Sequence, residues 1–320
     1  MHGRHEVVAD GRKVSPLATG NQWETPMASY HFSVQVVKRS AGRSVIAMAA
    51  YRAGERLHNV RRNVTEDYSH RRGVVHREIM APDGSASWLT DRETLWNAVE
   101  AGEKRVDAQL ARELNVALPH ELTPDQRLEL IRGFIAEQFV SRGMVADLAI
   151  HEPVIEKGDN PLNHHAHVLL TLRQATPEGL RAVKTREWNS DSMLAQWRAA
   201  WADHQNRSLV RHGHEITVDH RSLAAQLAEA RDRGDRKLAF LLDRKPEIHV
   251  GPLARQAASR GGRIPSKDRL VGPKRHRQPG APPSQRLRVY THHDRGNRLD
   301  WVRTIVRRNA ERSLAPLHLI

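Results

Sequence analysis

Three histidines stand where a strand would let them act together. In NHHAHVLLTLR, one residue separates His165 from His167, and the VLLT run that follows reads as a strand. Successive side chains on a strand point to opposite faces, so these two imidazoles share one face while Ala166, Val168 and Leu170 point to the other. A third imidazole, His151 in LAIHEP, closes the preceding strand-like run, and pairing of the two runs would bring it alongside. Neutral imidazoles gathered on one face are ready ligands for a divalent cation. Three of them leave coordination positions open, which suits a catalytic rather than a closed structural site. With twenty histidines in 320 residues, an H-x-H pair alone fits a solvated strand face equally well. His151 shifts the balance toward metal, and His164 would point away from the cluster.

Tyr51 is the second candidate. The chain has four tyrosines: Tyr30 falls in a strand pattern, Tyr68 and Tyr290 in polar, loop-like stretches, and Tyr51 in the alanine-rich run SVIAMAAYRAGERL. That run predicts a helix from Ser44, a plausible N-cap, to Leu57. Such a tyrosine alone is compatible with an ordinary half-buried position. A phenol, with a pKa of about 10, attacks phosphorus only when a base or the local field assists ionisation and the phosphate charge is neutralised. A cation on the three histidines would do the second job.

The elements that must position these groups follow from periodicity. Residues 1–26 are polar and aperiodic, a disordered extension, with Met27 an alternative start. Tyr30 to Val36 alternates as a first strand. Trp88 to Gln109 reads as a helix, with Leu89, Trp96, Val99 and Val106 among its apolar positions. Arg112 to Leu118 reads as a strand, with Leu114, Val116 and Leu118 on one face and Glu113, Asn115 and Ala117 on the other. Thr123-Pro124 opens a helix from Asp125 to about Arg142, striped by Leu128, Ile131, Ile135 and Phe139 and stopped by Gly143. Val145 to His151 and His165 to Thr171 are two further strands. Met193 to Arg211 is a helix in which Trp197 and Trp201, one turn apart, read as core rather than as base-stacking platforms. The expected class is α+β: a central antiparallel sheet with flanking helices and a basic, partly disordered C-terminal tail. The expected boundaries are 1–26 extension, 27–215 catalytic domain, 216–260 helical extension and 261–320 basic linker and tail, with a terminal helix over Trp301 to Leu314.

Composition narrows the chemistry. The chain carries no cysteine, which excludes disulfides, zinc knuckles and thiol nucleophiles. No apolar run is long enough to cross a bilayer and no secretory signal is present, so a cytoplasmic protein without membrane insertion is expected. The net charge is +14, yet sixteen Lys or Arg against four Asp or Glu from residue 251 onward place +12 of it in the last 70 residues. A basic tail on a balanced body fits phosphate contacts that position DNA without reading it, from Arg255, Arg263, Lys274, Arg275 and Arg277. A solvated tail with no partner is the plainer alternative.

The ordered segments YHFSVQ, AAYRAGERL, RELNVALPHEL, AIHEP, HHAHVLLTLR and VDHRSLAAQ resemble the MobA/MobL family of plasmid mobilisation relaxases, within the His-hydrophobic-His (HUH) endonucleases. The resemblance spans roughly residues 27–260. It implies Tyr51 as nucleophile, His151, His165 and His167 as metal ligands, and a nick at a plasmid transfer origin that leaves a 5′-phosphotyrosine; Mg or Mn would suit phosphoryl transfer, and three imidazoles would also take Zn, Ni or Co. It also implies a role for Glu113, either beside a histidine or as proton acceptor for the tyrosine; an ordinary strand glutamate is the other reading. Family members often read NPHxH, whereas here Leu162-Asn163-His164 separates Asn160-Pro161 from His165, leaving His164 and His165 to compete as ligand; period two favours His165. Asp219-His220-Arg221-Ser222 matches a family segment and reads as a hydrogen-bonded turn. The implied partners are single-stranded or supercoiled plasmid DNA, accessory mobilisation proteins and a type IV coupling ATPase. No GxxxxGK[ST] motif is present, so no ATP use is expected. A rolling-circle initiator or transposase would place its tyrosine after the histidines, whereas Tyr51 precedes them. A non-cleaving origin-binding module and a structural zinc site in a nonenzymatic protein are the alternatives outside the enzymes.

Overall fold

Side-chain alternation builds a five-stranded sheet with two differently used faces. The computed structural model describes residues 30–42, 44–248, 250–262, 264, 269–271, 286–288 and 298–314. Strands β1 (Phe32–Lys38), β4 (Val74–Met80), β5 (Gln109–Ala117), β6 (Ala146–His151) and β7 (His165–Leu170) form one sheet in the order β1-β5-β7-β6-β4. Every neighbouring pair is antiparallel. The expected α+β class is therefore observed.

One face of the sheet is the main core. Leu114 and Val116 of β5, Leu148 and Ile150 of β6, and Ala166, Val168 and Leu170 of β7 pack with Ile131, Phe134 and Ile135 of α3 (Pro124–Gln138) and with Trp197 and Trp201 of α4 (Asp191–Arg211). Both tryptophans are fully buried, as their spacing predicts. A capping box between Thr123 and Gln126, with Pro124 in the first turn, fixes where α3 starts.

The opposite face is split along the strands. At one end Val37, Ala111 and Leu169 form a second apolar cluster under α1 (Val45–Ala53) and α2 (Arg92–Ala101). Arg92 and Trp96 of α2 both donate to the buried Asp147 carboxylate of β6, tying that helix to the sheet. At the other end the same face carries Gln35, Glu113, His151, His165 and His167, so period two alone collects the polar residues in one place.

Several expectations need correction. The helix expected over 88–109 is a short 3-10 turn at Ser87–Thr90, then α2, then a loop to β5. Asp91 accepts from the Thr94 amide and opens α2, and Val106, expected as apolar stripe, is exposed. The helix from Ser44 stops at Ala53 because Gly54, at φ 63°, turns left-handed. Residues 56–59 then form β2 (Arg56–Asn59), which pairs with β3 (Val64–Asp67) in a hairpin the periodicity did not reveal. Strand β4 was likewise not anticipated.

The chain divides into two compact units, ending and beginning at His220 and Arg221. The second holds α5 (Leu223–Asp232), α6 (Arg236–Leu242), α7 (Pro252–Ser259), the paired strands Arg269–Val271 and Arg286–Arg288, and a helix at Arg298–Leu314. In the VDHRS segment, Ser222 caps α5 by accepting from the Ala225 amide. The extension 1–26, Met27, Tyr290, Arg263, Lys274, Arg275 and Arg277 lie outside the described residues, while Arg255 is exposed on α7. Among the described residues no helix is long and apolar enough to cross a membrane.

Candidate active site

The antiparallel β6–β7 pairing sets His151 opposite His165, and His167 follows two residues along the same face. The three ring centroids lie 4.9 to 5.3 Å apart, and each ring offers a nitrogen within 4.8 Å of the other two. The second nitrogen of each ring fixes its tautomer, because carbonyls and carboxylates only accept. His151 Nε2 donates to the Arg52 carbonyl at 2.7 Å, leaving its lone pair on Nδ1. His165 Nδ1 faces the Asn163 carbonyl at 3.1 Å, and His167 Nδ1 lies 3.2 Å from Glu113 Oε1, which leaves Nε2 as the free lone pair of both.

Burial keeps these rings neutral. It pushes His151 down to about 3, against a raising bond to the Arg52 carbonyl, and His167 down to about 4, against the neighbouring Glu113. His165 is lowered for the same first reason. A neutral imidazole whose other nitrogen is anchored is the state a metal requires, so the donor set fits a divalent cation. His164 takes no part in the cluster: its Nδ1 faces Arg127 at 2.9 Å on the far side.

Glu113 is 1% exposed, which excludes the ordinary exposed strand glutamate. Its Oε1 takes Arg52 Nε at 2.7 Å together with His167, and its Oε2 accepts from Gln35 at 2.6 Å. Burial raises its pKa, but the bond to His167 and the Arg52 charge outweigh that, and the group stays below the usual carboxylate range.

Tyr51 stands on the last turn of α1, over this end of the sheet, and is 41% exposed. Its ring meets Tyr68 edge-on, centroids 5.2 Å apart, and the Arg71 guanidinium lies 3.6 Å from its centroid. Tyr68, in a loop as its polar surroundings suggest, packs directly on the candidate nucleophile. An open cleft of about 450 Å³ runs past the tyrosine, lined by Gln35, Ser44, Met48, Arg52 and Tyr68. The residue after Tyr51 is the one whose carbonyl holds His151 and whose side chain binds Glu113. Sequence reading missed Arg52, Tyr68 and Arg71; the alternation of YHFSVQV contained the signal for Gln35, which pairs opposite Glu113.

The MobA/MobL family profile matches residues 43–260, more than half of the chain. The chain belongs to the MobA/MobL family. Among curated relatives, the mobilization protein MobL of Acidithiobacillus ferridurans is 34% identical over 263 residues, covering 74% of this chain and 65% of that one. The conjugal transfer protein TraA of Agrobacterium fabrum is 33% identical over 278 residues, 76% of this chain and 23% of its own length. The chain therefore spans under two thirds of either relative. A solved structure from work on the molecular basis of vancomycin resistance transfer in Staphylococcus aureus is 33% identical, with a TM-score of 0.54 over 61% of this chain and all of that one.

Proposed function

We propose that this chain is a relaxase that nicks and rejoins one DNA strand at a plasmid transfer origin during conjugative mobilisation. The observation that carries the reading is the pairing of an exposed tyrosine with a three-histidine site through adjacent backbone: Tyr51 faces the cleft while the Arg52 carbonyl holds His151. Membership of a family with mobilisation and conjugal transfer proteins supports it.

In the forward step the Tyr51 oxygen forms a bond to the scissile phosphorus, and the bond from phosphorus to the 3′ oxygen breaks. The phenol proton is lost to solvent and the leaving 3′ oxygen takes one up, giving a 5′-phosphotyrosine and a free 3′-OH. Reversal rejoins the strand. His151, His165 and His167 would hold a divalent cation, whose contribution is to neutralise the charge of the scissile phosphate. Three nitrogen donors suit Mn²⁺ better than Mg²⁺, which prefers oxygen. Glu113 acts on His167 and Arg52 rather than as base for Tyr51, since both its oxygens are already engaged. Arg255 and the basic residues beyond it supply phosphate contacts. Accessory mobilisation proteins and a coupling ATPase complete the cytoplasmic machinery, with no ATP used by this chain.

The test incubates wild type and Tyr51→Phe with labelled single-stranded DNA carrying candidate origins, with Mn²⁺ or Mg²⁺, and resolves products on a denaturing gel. A covalent adduct from wild type, absent with Tyr51→Phe or EDTA, is expected. Binding without an adduct across all origins and both metals would refute strand transfer and favour a non-cleaving origin-binding module.

A further inference from the structure

Arg71 follows the β2–β3 hairpin and touches both the tyrosine and the histidine site. Its guanidinium carbon is 3.6 Å from the centre of the Tyr51 ring, and its Nη2 is 3.3 Å from Nδ1 of His151. That Nδ1 carries the lone pair His151 has left after Nε2 donates to the Arg52 carbonyl. The other terminal nitrogen, Nη1, is buried with no hydrogen-bond partner. Among the described residues no carboxylate lies within ion-pair distance of Arg71, whereas Arg52, its neighbour across the tyrosine, is paired with Glu113. A half-buried guanidinium with an unused donor and no counter-charge is a ready receptor for an anion.

We propose that Arg71 is a phosphate-binding catalytic residue: its fork contacts the scissile phosphodiester beside Tyr51, and in the ligand-free protein the same fork rests on His151 Nδ1. The inference builds on the strand-transfer reading above. Because the guanidinium touches both the Tyr51 ring and His151, a phosphate held between tyrosine and histidines would come within its reach. Stacking on the aromatic face holds the fork there without a carboxylate that would compete with the phosphate for it. Arg71 must release His151 Nδ1 whenever an ion takes that lone pair, so the residue links metal occupancy to the availability of its donors.

Two measurements on the full chain test this. In calorimetric titration with Mn²⁺, Arg71→Met keeps an apolar stem on the Tyr51 ring and no longer competes for Nδ1. It should bind roughly three- to tenfold more tightly than wild type, the value of one lost hydrogen bond. Equal or weaker binding, in a variant that melts with wild type, overturns the shared position. In single-turnover adduct formation on origin single-stranded DNA, Arg71→Met should be about 100-fold slower. DNA affinity should change far less, and Arg71→Lys should recover part of the rate. A wild-type rate in Arg71→Met, or in Arg71→Gln if the methionine variant is unstable, overturns the proposal alone. No adduct from wild type removes the strand-transfer reading and this proposal with it, an outcome the metal titration does not share.

Discussion

Replacing Glu113 by Gln should weaken the metal site and the fold together, in separable amounts. The carboxylate is 1% exposed, accepts from Arg52 and Gln35 through its two oxygens, and lies 3.2 Å from His167 Nδ1. A carboxamide offers one acceptor and one donor, so at least one of these donors faces an N–H and the Arg52 charge is left without its counter-ion. Removing one partner of a buried ion pair costs about 3–5 kcal/mol. Arg52 keeps 22% exposure, so water recovers part of this, and about 2–3 kcal/mol is expected, or roughly 4–12 °C in melting temperature. Loss of the group that anchors His167 Nδ1 should weaken metal binding about 10- to 100-fold. Thermal melts in EDTA and calorimetric Mn²⁺ titration read the two effects independently. A lower melting temperature with undiminished metal affinity would confine Glu113 to the fold and refute its role in orienting His167. No change in either would refute the reasoning altogether.

Acid should destabilise the metal-free protein early. His151 and His167 titrate at about 3 and about 4 when folded against 6.5 when free, so below pH 6.5 the unfolded chain binds protons that the folded one refuses. Stability from these rings is level above pH 6.5 and falls from there toward pH 4, and the lowered Glu113 acts in the same direction; a melting temperature in EDTA that is flat from pH 7 to 5 would count against it. Gly73 adopts φ +91°, and a Cβ there would lie 2.9 Å from the Glu152 carbonyl oxygen and from Val154. Gly73→Ala should cost about 1–3 kcal/mol. Because Gly73 joins the Arg71 loop to the residue after His151, through the Glu152 amide, metal affinity should drop as well; a variant indistinguishable from wild type in melt and titration would show that the loop does not position the site.

The triad was legible because strand parity is the simplest rule in protein geometry. Once His165 and His167 are on a strand, their shared face follows, and the neighbouring run ending in His151 supplies the third ring by antiparallel pairing. The role of Glu113 was only half legible. Parity put it on the correct face, but its burial depends on α1 lying across that face, and packing of a helix on a sheet is not encoded in local spacing. Arg71 and Tyr68 were invisible for a different reason. They arrive by way of a hairpin of two four-residue strands whose partners are recognisable only after pairing, and nothing in HNVRRNVTED marks it as a hairpin aimed at a tyrosine. The false helix over 88–109 arose because apolar spacing continues past Gly102, where the chain has already turned toward β5.

His151 is anchored by a main-chain oxygen, the carbonyl of the residue next to Tyr51. Every amino acid provides that oxygen, so the link between nucleophile and metal site is one that side-chain substitution at position 52 cannot delete. An alanine at this position would report the lost ion pair with Glu113 and leave the main-chain connection intact. Only perturbing the backbone itself would expose it, through an ester in place of an amide, a proline, or a shift in where α1 unwinds. A change in the residue after the tyrosine is therefore felt through its side chain's ion pair with Glu113 and not through this link, which asks only that the helix end presenting the carbonyl stay where it is.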